Sequence, residues 1–271
     1  MSDSLLQSFQ LKHLHLKNRI ITTSHEPAYN EDGFPKDRYI AYHLERAKGG
    51  IAMTMTAGSA VVSKDSPPSF DNIHAYKDEV VPWIKKLTNT IHDHDCKIMI
   101  QLTHLGRRTS WSKGDWLPSL SSGKHREPAH KAFPKVMESW DIERIKKEYG
   151  DAAERMKQGG MDGVELEGQG HLIGQFLSPL TNELNTEYGG SLENRLRFTI
   201  NVLSDIIESG LFRLSCPLLV KAIVHKAASS CGGVATPMLQ GGRYFHCISA
   251  VNGAGLIGQS PNCSAGSTYD G

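Results

Sequence analysis

The sequence predicts an α/β fold of the (β/α)8 TIM-barrel type, of which only the first four to five strand–helix units are encoded. Three observations carry this expectation. Four β-rich runs alternate with four apolar stripes at helical spacing, the strands keep polar side chains on one face, and the pattern stops near residue 208 of 271. Such alternation implies a parallel sheet, because each helix returns the chain across the sheet before the next strand.

The elements follow in order. Arg19–Ser24 (RIITTS) is the first run, followed by turn residues Asn30–Gly33 and a helix over Lys36–Lys48. Ile51–Gly58 is the second, after the Gly49-Gly50 break, and Val80, Trp83, Ile84, Leu87 and Ile91 form the next helical stripe. Lys97–Thr103 (KIMIQLT) is the third strand, and a Gly/Ser/Pro-rich loop follows over 104–140. Ile142, Ile145, Tyr149, Ala152 and Met156 mark a helix with Asp141 expected as its cap. Gly163–Glu167 (GVELE) is the fourth strand, and Leu192, Leu196, Ile200, Leu203 and Ile207 line a helix capped by Ser191.

A doubly wound sheet shows the same alternation, and the strand faces decide against it. Val164 and Leu166 oppose Glu165 and Glu167, while Ile98, Ile100 and Leu102 oppose Met99, Gln101 and Thr103. A doubly wound sheet is apolar on both faces, whereas polar groups on one face suit a lumen that opens into a site.

Lys and Arg total 30 against 29 Asp and Glu, and 39% of residues are hydrophobic. That balance excludes a nucleic-acid or anionic-membrane binder, which needs a basic excess. No apolar run approaches the ~18 residues of a membrane span. The first ten residues lack a basic start and an apolar core, and five cysteines are too few and too uneven for a disulfide scaffold. The expected location is the cytoplasm. Two regions are expected: 1–208 as the barrel part, and 209–271 as a divergent Gly/Ser/Cys-containing tail. Beyond Glu208 the only acidic residue is Asp270, whereas Cys216, Cys231, Cys247 and Cys263 all fall there. A truncation or altered reading frame explains that shift.

In a barrel, function gathers on loops after the C-terminal strand ends. Here these are Ser24-His25-Glu26, Gly58-Ser59, Gln101–Arg108 and Glu167–His171. Gln101 donates and accepts at once, as the pyrimidine edge of a flavin requires, and Gly58 lets a ring approach the backbone. The ordinary alternative for a barrel glutamine is an internal hydrogen bond.

NRIITTSHEPAYNEDG, the QLTHLGRR segment, and above all GHLIGQFLSPLTNELNTEYGGSLENRLRF resemble the old yellow enzyme family. They are closest to its long-chain NADH:flavin oxidoreductase branch. The runs RTSWSKGDWLPS and REPAHKAFPK resemble members that demethylate N-methylproline, dimethylglycine and related betaines. The resemblance, over roughly 10–208, implies an FMN-binding barrel with Thr23, Ser24 and His25 against the flavin, Gly58 behind the ring and Gln101 on its pyrimidine edge. The FMN is implied to be non-covalent, since Glu26 stands where related trimethylamine enzymes carry the linking cysteine. Within the Tyr188–Arg195 motif, Gly189-Gly190 are expected to make a turn, Ser191 and Asn194 to start the helix, and Arg195 to pack or pair.

Ene-reductases of this family carry a His-x-x-His/Asn pair and then Gly-Tyr after the fourth strand. This chain has Glu167-Gly168-Gln169-Gly170-His171, one residue shorter, and so lacks the donors that polarise an enone. The implied reaction is oxidative N-demethylation, in which the amine gives a hydride to FMN and the iminium hydrolyses to secondary amine and formaldehyde. His171, Gln169 and Glu167 are the catalytic candidates. Arg107 and Arg108 are candidate clamps for a substrate carboxylate, and Tyr29, Trp111 and Trp116 supply aromatic faces for its ammonium. Two alternatives stay open: an ene-reductase using NAD(P)H, and a flavin-free, inactive fragment. The iron–sulfur cluster and dinucleotide region of the long-chain relatives are not encoded, and the GxGxxG of 253–258 lacks a following helix. Cys216–Val224 is the nearest approach to a fifth strand, with Lys221 imitating the family's strand-five arginine. No metal ligand set is evident. A half barrel leaves strand edges uncovered, which predicts self-association.

Overall fold

Three strands pair in parallel and in chain order, with their helices stacked in the same order against them. The computed structural model describes residues 3–11, 13–66, 71–108, 117–128 and 133–208, with the pairs 250–251 and 257–258. Contacts divide the chain into two compact units, Ile21–Leu214 and Met1–Ile20 with Ser215–Gly271.

In the larger unit, β3 (Met53–Val61), β4 (Lys97–Thr103) and β7 (Gly163–Leu166) form the parallel sheet β3-β4-β7. Helices α1 (Asp37–Lys48), α2 (Val80–His92) and α3 (Ser139–Gln158) pack on one another and on β3, β4 and β7 in turn. A doubly wound sheet reverses its strand order at a switch point; this one winds one way, as a barrel does. The predicted face assignment holds. Ile98, Ile100 and Leu102 are fully buried, each stabilising the layer under the helices by about 1.5–3 kcal/mol.

The helix stripes form as their spacing dictates. Tyr39, Ile40, His43 and Ala47 are the buried face of α1, whose first turn holds Asp37 and last turn Arg46 and Lys48, charges that suit the helix dipole. Asp141, expected as the cap of α3, lies three residues inside the helix. The cap is Glu138, whose backbone N–H donates to the Asp141 carboxylate at 2.9 Å. In α5 (Leu192–Glu208) Ser191 Oγ accepts from the Asn194 N–H at 3.2 Å, as predicted.

The first predicted strand shrinks to one parallel bridge, Ile21 to Met53, with the Thr22 N–H donating to Met53 O at 3.0 Å. Local bonds compete with the ladder there. The Ile20 N–H is taken by Asn18 Oδ1 at 3.0 Å. Strand β3 runs past its predicted end at Gly58, with a register shift between Thr56 and Ala60.

Two features of the larger unit carry no clear sequence signal: the two-residue parallel pair β5 (Leu120–Ser121) and β6 (Lys135–Val136), and the six-residue helix α4 (Leu172–Leu177). Phe176 of α4 stacks on Phe198 of α5 with centroids 4.3 Å apart. The motif between them is structural throughout. Asn182 Nδ2 donates to Phe176 O and Tyr188 O, both at 2.8 Å, and Asn194 Nδ2 to Gly189 O at 3.0 Å. Arg195 Nε donates to Leu177 O at 2.8 Å, consistent with the packing role expected of it.

In the smaller unit, strands β1 (Phe9–Leu11) and β2 (Leu14–Leu16) form an antiparallel hairpin, with the Arg19 guanidinium 4.9 Å from the Phe9 ring centroid. The pairs β8 (Ala250–Val251) and β9 (Ile257–Gly258) are antiparallel. The predicted run Cys216–Val224, Lys221, Cys231, Cys247 and Cys263 lie outside the described residues. Among the described residues no helix is long and apolar enough to cross a membrane, and no acidic, His or Cys group could hold a metal.

Candidate active site

Gln101 and Glu165 are partners across the β4–β7 ladder, so both side chains project from the face opposite the helices. Gln101 Nε2 donates to Glu165 Oε2 at 3.2 Å, and Ser24 Oγ donates to the same oxygen at 2.6 Å. One carboxyl oxygen thus ties the end of the first strand segment to β4 and β7. Gln101 is only 6% exposed, and its Oε1 is buried with no hydrogen-bond partner. Burial pushes the Glu165 carboxyl above the usual carboxylate range, and its bonds from Ser24 and Gln101 pull it back.

Glu167 follows the end of β7. Burial raises its carboxyl to about 7; the Gln169 N–H, donating to Oε1 at 2.6 Å, opposes the shift, as does the Arg108 charge, and Glu165 adds to it. Gly170, at φ +74°, brings the backbone close enough to Arg108 that a Cβ there would stand 3.4 Å from Nη1. His171 is 8% exposed, with Nδ1 2.9 Å from Thr103 Oγ1. Burial, helped by the Arg108 and His104 charges, lowers its imidazole to about 3, so the ring is neutral at pH 7.

The loops bearing these groups meet on Gln175 of α4, which is 2% exposed. Its Oε1 accepts from Ser121 Oγ at 2.9 Å and from the Arg107 N–H at 3.1 Å. Its Nε2 donates to Gly170 O at 3.0 Å and Leu105 O at 3.2 Å. His104 beside it is structural: Nε2 lies 2.9 Å from Asp65 Oδ1, and Nδ1 accepts the Gly106 N–H at 3.0 Å.

The structure therefore brings together Ser24, Gln101, Glu167, Gln169, Arg108 and His171, and adds Glu165 and Thr103. It gives the two candidate arginine clamps different surroundings. The Arg107 guanidinium turns to the 125–127 segment, where Nη1 donates to His125 O at 3.2 Å and Glu127 supplies an opposing charge. His25 and Tyr29 face α1: His25 Nδ1 lies 2.8 Å from Tyr42 Oη, and Tyr29 meets Tyr42 edge-on at 5.7 Å. The Tyr29 ring already carries a cation, the Arg38 guanidinium 3.8 Å from its centroid. Thr23 is exposed between Thr22 and Ser24. The surroundings of Gly58, and the whole of Trp111 and Trp116, lie outside the described residues.

Residues 4–214 match the NADH:flavin oxidoreductase / NADH oxidase family. The chain belongs to that family. Over 205 residues it is 67% identical to a probable N-methylproline demethylase of Rhizobium meliloti, covering 76% of this chain and 30% of the relative. A multifunctional alkene reductase/demethylase of Caballeronia cordobensis is 46% identical over 205 residues, again 76% of this chain and 30% of the relative. The chain thus spans about a third of the length of these relatives. Among solved structures, Old Yellow Enzyme from Pichia sp. AKU4542 superposes with TM-score 0.71 at 26% identity, covering 76% of this chain and 56% of that one. The sheet is the corresponding part of such a (β/α) barrel.

The family implies FMN, and the residues present fit it. A buried amide oxygen without a partner, at a lumen-facing position, is what an N–H donor on a flat heteroaromatic edge satisfies. Glu165 escaped the sequence reading although a signal existed: it shares a face with Glu167 and stands in the strand beside Gln101.

Proposed function

We propose that this chain carries one half of the site of an FMN-dependent oxidoreductase that removes an N-methyl group from an N-methylated amino acid or betaine. The observation that supports this reading is the cluster at the strand ends: the unpartnered Gln101 amide oxygen beside a carboxyl with pKa about 7, a neutral histidine and an arginine. FMN, when bound, supplies the acceptor for two electrons from the substrate. Gln101, with Ser24, would hold the pyrimidine edge, Gly58 would back the ring and Thr23 would lie at its rim, while His25 stays with Tyr42; the flavin would be held without a covalent bond.

The chain's own groups then divide the work. Arg108 holds the substrate carboxylate. Glu167 takes the proton from the substrate ammonium at neutral pH, which frees the nitrogen lone pair. His171, neutral and fixed by Thr103, anchors the substrate, and Gln169 fixes Glu167 through its backbone N–H. Arg107 reaches the substrate only if it leaves His125, so Arg108 is the primary clamp. The match to relatives named for demethylation supports this over enone reduction, since no phenol donor stands at His171.

In this reading residues 1–208 are the barrel part and 209–271 a separate tail, the protein is cytoplasmic, and the chain self-associates. NAD(P)H is the electron donor in related reductases and is not needed for this direction. The test is anaerobic: chain reconstituted with FMN is mixed with N-methylproline or dimethylglycine, or with an enone and NADPH. Bleaching of the flavin band by the amine alone, with formaldehyde released, is the expected result. Turnover of the enone alone overturns the reading.

A further inference from the structure

We infer that Glu165 is a positioning residue that sets which end of the Gln101 amide is offered to the lumen. The inference rests on the flavin reading above and goes beyond it, because Glu165 itself touches no flavin in that reading. A glutamine amide can present either its NH2 or its carbonyl to a ligand, and nothing in the side chain's shape prefers one. Here the choice is made by its neighbour. Glu165 Oε2 already accepts the Ser24 hydroxyl at 2.6 Å, so it faces Gln101 as an acceptor and takes the Nε2 donor at 3.2 Å. With its NH2 claimed from the protein side, Gln101 has only Oε1 to offer, and Oε1 is the buried atom that lacks a partner. The lumen therefore presents an acceptor and selects a ring edge with an N–H donor, rather than one that can only accept.

The chemistry names the discriminating ligand. FMN carries an imide N–H between two carbonyls, and N3-methyl-FMN lacks that donor while keeping the ring and phosphate. The experiment titrates the full chain with each compound, read by quenching of flavin fluorescence. The native chain is expected to bind FMN at least tenfold more tightly than the N3-methyl compound. In Glu165→Gln, the neighbour can donate or accept, the Gln101 amide is free to reverse, and the ratio is expected to fall below about threefold, a loss of at least about half of the 1.4 kcal/mol that a tenfold ratio represents. Ser24→Ala, which frees the carboxyl oxygen without altering the charge, is expected to lower the ratio about twofold, and it serves if Glu165→Gln does not fold by circular dichroism. If the variants bind flavin with the native ratio intact, the positioning role is overturned while the flavin reading stands. If the native chain takes up no FMN, the flavin reading falls first and this inference with it.

Discussion

Glu167 and His171 stand four residues apart and titrate in opposite senses, which makes their effects separable. The Glu167 carboxyl is raised from 4.5 to about 7 in the folded chain. Between those values the folded state binds more protons than the unfolded one, so this group makes stability fall as pH rises from about 4.5 to 7. Glu167→Gln removes that fall. Melting curves from pH 5 to 8 should show the variant gaining on the native chain as pH rises, and a constant offset would refute the assignment. His171 is lowered from 6.5 to about 3, so it makes stability rise with pH over that window, with the gain complete above 6.5. Adjacent residues also diverge in ways that their order cannot reveal. Arg107 and Arg108 read as a pair, yet Gln175 fixes the backbone between the loops so that only Arg108 reaches the Glu167–His171 cluster. Replacing Gln175 by Leu strips Ser121, Arg107, Leu105 and Gly170 of their partners. At ~1–3 kcal/mol for each buried group left unsatisfied, the four together imply a loss of about 4 kcal/mol or more in urea unfolding.

Among the elements, those with strict periodicity were legible. Lys97–Thr103 forms β4 over its predicted length because alternation of Ile98, Ile100 and Leu102 against Met99 and Gln101 fits one pleat only. The first strand was not, because Asn18 diverts the Ile20 N–H by a local bond and the Ser24 hydroxyl goes to Glu165, far along the chain. Helix α4 is too short to show a period, and its anchor is tertiary: Phe176 on Phe198. Phe176→Ala should cost about 3–5 kcal/mol. The turn before α5 offers a sharper comparison. A Cβ on Gly189 would stand 1.8 Å from Leu184 O, whereas one on Gly190, at φ +78°, meets nothing within 4 Å. Gly189→Ala should therefore destabilise by more than about 3 kcal/mol, and Gly190→Ala by only about 1–2 kcal/mol for its left-handed backbone. Equal losses in thermal denaturation would contradict the turn geometry.

For the whole molecule, the sequence order of strands and the polar face of each one were enough to foresee a one-way winding and the shared face of Gln101 and Glu165. The positions of His25 and Tyr29 were not foreseeable, since Tyr42 and Arg38 of α1 claim them through contacts that only packing creates. The proposed self-association also has a solution consequence. Sedimentation of the purified chain should show a concentration-dependent dimer or larger species, and a monomer at all concentrations would remove the self-association proposal.

The central claim is that the Gln101 amide oxygen, held at the lumen by Glu165 and Ser24, receives a flavin. Titration of FMN into the native chain and into Gln101→Leu tests it most directly. Saturable binding by the native chain, weakened at least tenfold in the variant while its melting temperature holds, is the predicted result; equal affinity in the two proteins would contradict it.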